Sequence, residues 1–112
     1  MCEKNEAIRI GEDVAERAKT ILGQALSAVV LYGSYARGDY DDESDIDIMV
    51  RIDCTPERLN ELRETFIGIA NELSLEHGVE VSVSLADAAT YDRYKRFLPY
   101  YESIESEGIK IA

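Results

Sequence analysis

The sequence has no tryptophan, a single histidine (His77), two prolines and two cysteines. One histidine is too few for a histidine-based zinc site and leaves little material for a Ser-His-Asp triad. Cys2 and Cys54 match no spacing of metal or redox motifs, so we expect two free thiols. No run of about 18 apolar residues occurs, which argues against a membrane-spanning helix. The charged N-terminus lacks a signal-peptide core. We therefore expect a cytoplasmic protein.

Basic residues are also scarce. The chain has 12 lysines and arginines against 23 acidic residues, and its net charge is -11. Binding to nucleic acid requires a cationic surface, so this balance argues against direct contact with DNA or RNA. At 112 residues the chain is long enough for one domain, which we expect to span 1–112.

The hydrophobic pattern alternates between helical and strand periods. It predicts helices over 5–25 and from Thr55 to the glycine at 78, strands over 27–32, 45–52 and 79–87, and a helical tail from 86 with a boundary at Pro99. This order predicts an α+β fold, namely a small mixed β-sheet with helices packed on one face.

Two carboxylates stand inside a strand that is otherwise apolar. Asp45 and Asp47 in "DIDIMVRI" are two residues apart and share a face, with Cα atoms about 6.5–7 Å apart. Isolated carboxylates would be costly there, so we expect a cation between them. Oxygen-only ligands favour Mg²⁺. Glu80 in the strand after the next helix is either a third ligand or simply an exposed strand residue.

A glycine-serine turn precedes these carboxylates. Gly33 ends an apolar strand and lets backbone approach a phosphate closely. The amides of the turn after it, together with the Ser34 hydroxyl, can bind an anion. Arg37 is either a phosphate contact or a surface charge. The turn and the carboxylates together predict a site for a nucleotide with its metal ion.

The motif "GSYARGDYDDESDID", over residues 33 to 47, resembles the signature of the DNA polymerase beta-like nucleotidyltransferases. The short chain and the tail "FLPYYESIESEGIKIA" resemble the minimal nucleotidyltransferases (MNT), which are paired with HEPN proteins in prokaryotic toxin–antitoxin systems. The resemblance implies a minimal polymerase beta-like nucleotidyltransferase fold. It also implies a phosphate-binding role for Ser34 and Mg²⁺ binding by Asp45 and Asp47. The third acidic position of the family, usually aspartate, would fall on Glu80.

The resemblance further implies an antitoxin that transfers AMP from ATP to a tyrosine of a HEPN-family RNase toxin. Two alternatives remain open on the sequence. One is an antitoxin without catalysis that neutralises its partner by binding. The other is AMP transfer to a small molecule such as an aminoglycoside, whose positive charge would suit the acidic surface.

The tail is rich in aromatic residues at roughly helical spacing. We expect partner contacts from this face, although packing on the protein's own sheet explains the pattern equally well. The residues are Tyr91, Tyr94, Phe97, Leu98 and Tyr101.

Overall fold

The computed structural model describes residues 3–112, and Cys2 lies outside that range. Within the described residues, five helices and four strands follow one another along the chain. The order is α1 (Lys4–Leu22), a 3₁₀ turn (Gly23–Ala25), β1 (Leu26–Tyr32), α2 (Ser34–Arg37), β2 (Ile46–Ile52), α3 (Pro56–His77), β3 (Val81–Asp87), α4 (Ala88–Tyr94), α5 (Pro99–Glu107) and β4 (Ile109–Lys110).

The strands form one mixed sheet in the order β3-β2-β1-β4. Strand β1 pairs antiparallel with β2 and with β4. Strands β2 and β3 are parallel, and α3 connects them. The α+β class and the mixed sheet predicted from the sequence are therefore confirmed.

Local sequence explains where the long helix α3 begins and ends. The Thr55 hydroxyl accepts a hydrogen bond from the Arg58 N–H at 3.2 Å, and Pro56 occupies the first helical position. Gly78 ends the helix in the left-handed conformation (φ +66°). The apolar stripe of α3 is buried as the sequence predicts, at Leu59, Leu62, Phe66, Ile69, Ala70 and Leu73.

Helices α1 and α3 cover one face of the sheet, as expected. Their apolar side chains form the main core with Val29, Leu31, Ile48 and Val50. The tail helices lie elsewhere: Met49 points away from the main core and packs with Tyr91 of α4 and Ile104 of α5. The expectation of helices on one face thus holds for α1 and α3 only. Strand alternation puts Met49, an apolar residue, on the second face of the sheet, and helices α4 and α5 cover this side chain.

The chain end was expected to be helical with a boundary at Pro99, and α5 does begin there. The short strand β4 that follows was not predicted, since two residues carry no periodicity. Cys54 is a free thiol. Among residues 3–112, none of the helices combines the length and the apolar character that crossing a membrane requires.

Candidate active site

The turn after β1 brings backbone against a carboxylate. Gly33 has φ +78° and ψ −157°, a conformation that side-chain-bearing residues rarely adopt. A Cβ atom at Gly33 would collide with the Oδ2 atom of Asp47. The Gly33 carbonyl accepts hydrogen bonds from the N–H groups of Ala36 and Arg37, both at 3.1 Å, and so starts α2. Glycine is therefore required here both by the backbone and by the close approach of Asp47.

Asp47 lies on β2 between two other strands. It is opposite Tyr32 of β1 and opposite Ser82 of β3. Its half-buried side chain makes no hydrogen bond or ion pair within residues 3–112. Burial raises the pKa of the Asp47 carboxyl, the negative charge of Asp45 raises it further, and Arg37 partly opposes both. Among the described residues, Arg37 therefore compensates the burial of this carboxylate only in part.

Arg37 and Ser34 both stand on the short helix α2. The Arg37 side chain is exposed and pairs with Asp39 at 3.3 Å and Glu107 at 3.4 Å. These partners raise the pKa of Arg37, Asp39 most strongly. The partly buried Ser34 hydroxyl makes no hydrogen bond within the described residues. The turn thus offers a hydroxyl donor and one nearby guanidinium on the Asp47 side.

Glu80 lies apart from Asp47. It is exposed and precedes β3, where its carbonyl accepts a hydrogen bond from the Ile46 N–H at 2.8 Å. The register puts Ser82, not Glu80, opposite Asp47. Within residues 3–112, no three Asp, Glu, His or Cys side chains are close enough together to hold a metal ion. The role of Glu80 as a third ligand stays a prediction.

An acidic cleft of about 630 Å³ lies beyond Asp45. Asp45 and Glu80 line it together with Glu6, His77 and Tyr35. Asp47 and Ser34 do not line it, so this cleft is a neighbour of the glycine-turn site and not the site itself. His77 is 3.5 Å from Glu6 and links α3 to α1 at the cleft wall.

Three hydroxyl groups near Asp47 were missed by sequence reasoning. The Tyr32 hydroxyl is 2.6 Å from the Tyr100 hydroxyl and 3.4 Å from Ser84 Oγ, and Tyr100 is 3.2 Å from Ser84. Burial raises the pKa of Tyr32, and the charge of Asp47 adds to the shift. Alternation predicts the faces of Tyr32 and Ser84, but only the fold brings Tyr100 to them.

The Gly-Ser turn that closes on Asp47 lies within residues 33–47, the segment whose motif resembles the nucleotidyltransferase signature. The family model of the nucleotidyltransferase domain matches residues 12–111. The chain belongs to this family. As the match spans both the turn and the carboxylates, the chain is a nucleotidyltransferase.

Similar proteins agree with this assignment. "Putative protein adenylyltransferase MJ0141" of Methanocaldococcus jannaschii is 32% identical over 108 residues, which cover 95% of this chain and 99% of the relative. A crystal structure of "a putative nucleotidyltransferase from Sulfolobus solfataricus" has a TM-score of 0.66 at 19% identity, over 96% of this chain and 80% of that chain. The "toxin-antitoxin with AMP-PNP" has a TM-score of 0.52 at 18% identity, over 90% of this chain and 72% of that chain. The two structures show a shared fold.

Proposed function

We propose that this nucleotidyltransferase transfers AMP from ATP to a tyrosine hydroxyl of a HEPN-family toxin in the cytoplasm, and that it acts as the antitoxin. The observation that carries the proposal is the close approach of Gly33 to the half-buried carboxylate of Asp47. The relative described as a protein adenylyltransferase supports a protein acceptor. The fold shared with a toxin–antitoxin complex holding AMP-PNP is consistent with a nucleotide-using antitoxin.

Asp45 and Asp47 fit a divalent cation. They are close enough for the charge of Asp45 to raise the pKa of Asp47, and half-buried Asp47 makes no ion pair with any of residues 3–112. Carboxylate oxygens suit Mg²⁺, which keeps part of its water shell and also takes phosphate oxygens. When bound, Mg²⁺ would neutralise charge on the phosphates during the transfer.

The turn would hold the triphosphate. At Gly33 the absence of a side chain lets the Asp47 carboxylate approach the turn closely, and the Ser34 hydroxyl is available as a donor to a phosphate. Arg37 is near enough to lower the pKa of Asp47. To bind a phosphate, Arg37 would have to exchange its ion pairs with Asp39 and Glu107 for the nucleotide. Because these pairs are solvent-exposed, little stabilisation opposes that exchange.

In the reaction, the acceptor hydroxyl oxygen attacks the α-phosphorus of ATP. A new O–P bond forms, the bond between the α-phosphorus and the bridging oxygen breaks, and pyrophosphate leaves. The hydroxyl proton passes to a carboxylate at this edge of the sheet. Glu80 is the proposed proton acceptor, since it lines the same cleft as Asp45 and immediately precedes β3, the strand that is parallel to β2.

One observation favours a second candidate function. Ser82 occupies the position across from Asp47, so a third carboxylate is not placed there. A site with only two carboxylates at the turn is consistent with an antitoxin that binds its toxin and transfers no AMP. In that case the nucleotide site would be weak.

Incubation of the purified chain with the HEPN protein, Mg²⁺ and ATP labelled at the α-phosphate separates these functions. Adenylyl transfer predicts label on the HEPN protein and release of pyrophosphate, whereas label at the γ-phosphate is not transferred. An aminoglycoside supplied in place of the protein tests the small-molecule alternative. A tight complex without label on either acceptor would contradict the catalytic proposal and support neutralisation by binding.

A further inference from the structure

The turn between α4 and α5 exposes an unusual group of apolar side chains. Among the described residues, seven large hydrophobic side chains are exposed, and four of them lie in this segment. Phe97 is 76% exposed, while Tyr94, Leu98 and Tyr100 are 40–48% exposed. We use the name tail surface for these four residues together with Arg93 and Arg96.

The tail surface is held in place by ordered structure beneath it. The N–H groups of Phe97 and Leu98 donate to the Tyr94 carbonyl at 2.9 and 3.0 Å, which fixes the turn. Tyr91 and Tyr101 pack against each other and against the protein's own sheet. Some aromatic residues of the tail are therefore packed on the protein itself, whereas those of the tail surface are exposed to solvent.

The charge of the tail surface is opposite to that of the whole chain. Lys95 is paired with Asp92 at 3.7 Å and Glu105 at 3.6 Å. Arg93 and Arg96 are exposed, precede Phe97 in the same segment and make no ion pair within residues 3–112. On a chain of net charge -11, these two unpaired guanidinium groups could each bind a carboxylate of a partner, and so would orient it.

The tail surface is also continuous with the nucleotide site. The Tyr100 hydroxyl is 2.6 Å from the Tyr32 hydroxyl, and Tyr32 is the β1 residue paired with Asp47. A protein seated on Phe97 and Tyr100 would therefore lie at the rim of the Gly33 turn. An acceptor hydroxyl on such a protein would therefore be close to the proposed nucleotide site.

From these observations, we propose that the tail surface is the docking site for the acceptor protein, and that the acceptor meets it with an apolar patch flanked by carboxylates. This inference rests on the proposed function for its choice of partner. Phe97 would be the apolar anchor, and Arg93 and Arg96 would supply the orienting charge.

The test compares the HEPN protein's affinity for the wild type and for two variants, Phe97→Asp and Arg96→Glu. Matched controls on α3, which covers the opposite face of the sheet, are Leu75→Asp, at a side chain 87% exposed, and Arg63→Glu. Loss of a central anchor should weaken binding roughly thirtyfold for Phe97→Asp. Arg96→Glu should slow association about tenfold at low salt. The control variants should bind as the wild type does.

Several outcomes would overturn the proposal. Unchanged affinity in Phe97→Asp, or absence of HEPN binding by the wild type, removes the docking site. Faster association in Arg96→Glu indicates a basic partner surface instead. If the variants lose affinity for a single-stranded RNA oligonucleotide and not for the protein, the tail surface binds RNA. Light scattering of the chain without the HEPN protein tests self-association. If Phe97→Asp lowers the molar mass measured there and leaves the affinity for the HEPN protein unchanged, the tail surface joins two copies of the chain.

The same variants separate this inference from the proposed function. Binding of ATP with Mg²⁺ should be unchanged in Phe97→Asp, since Phe97 belongs to no part of the nucleotide site. Should the wild type bind the HEPN protein through Phe97 and Arg96 but transfer no AMP, the docking site stands and catalysis fails. Should it transfer AMP equally well with both variants, catalysis stands and the docking site fails.

Discussion

Replacement of Gly33 by alanine tests the coupling between the turn and Asp47. The backbone at Gly33 lies in a region that is nearly exclusive to glycine, which costs alanine about 1–3 kcal/mol. The new Cβ atom would also collide with Asp47 Oδ2. Moving that carboxylate off its preferred rotamer costs about 0.5–1.5 kcal/mol more. We therefore expect Gly33→Ala to lower the free energy of unfolding by about 2–4 kcal/mol.

Gly38 is the matched control for this substitution. It has φ +91° in the same short segment, yet no heavy atom lies within 4 Å of a Cβ built there. Gly38→Ala should cost only the left-handed conformation, about 1–2 kcal/mol. Alanine reduces the entropy of the unfolded chain equally at both positions, so that contribution cancels.

Equilibrium unfolding in urea with EDTA measures both free energies. A second pair of variants, Asp47→Ala with and without Gly33→Ala, isolates the collision between the new Cβ atom and the carboxylate. In the Asp47→Ala background, Gly33→Ala should lower the free energy of unfolding by about 1 kcal/mol less than it does in the wild type. ATP affinity should be lost in Gly33→Ala and kept in Gly38→Ala. Equal costs at both glycines, together with no coupling to Asp47, would refute the reasoning.

Three further predictions concern the same site. In EDTA, Asp47→Asn should be more stable than the wild type near neutral pH, because burial and Asp45 raise the pKa of Asp47 above 3.8. A raised carboxyl pKa favours the folded state at low pH, so the difference in free energy of unfolding between the two proteins should shrink as the pH falls towards 4. Chemical unfolding measures this difference, and one that does not change with pH would contradict the prediction. Ser34→Ala should weaken ATP binding about ten- to a hundredfold in calorimetry, with little change in melting temperature, and unchanged affinity would remove Ser34 from the site. Glu80→Gln should slow single-turnover AMP transfer and leave ATP affinity unchanged, and a wild-type rate would exclude Glu80 as a catalytic group. As the complementary test, Ser82→Asp should tighten Mg²⁺ binding if the third ligand position is the one opposite Asp47.

Much of the fold follows from local patterns. The caps at Thr55 and Gly78 determine α3, and the apolar stripe of the helix determines which side faces the sheet. The spacing of Gly33, Asp45 and Asp47 predicts a phosphate-and-metal site, and the close approach of Gly33 to Asp47 gives that spacing a structural basis.

Strand register is what the sequence does not determine. Glu80, Ser82 and Ser84 alternate with valines and leucine and are equivalent in pattern, so alternation cannot say which of them faces Asp47. Pairing of β2 with β3 decides it, and places Ser82 there. The contact between Tyr32 and Tyr100, 68 residues apart, also depends on tertiary packing and has no local signal.

Coverage of the second sheet face was missed for a related reason. Met49 is in phase with Asp45 and Asp47, so strand alternation alone assigns it to a polar face. Packing of α4 and α5 turns the same face into a small apolar core around Met49, Tyr91 and Ile104.

The most direct test of the central claim is intact-mass spectrometry of the HEPN protein after incubation with this chain, ATP and Mg²⁺. The wild type should add the mass of AMP to the HEPN protein, and Asp45→Asn and Asp47→Asn should add none while still folding. An unmodified HEPN protein with the wild type, or equal modification by Asp47→Asn, would contradict adenylyl transfer at this site.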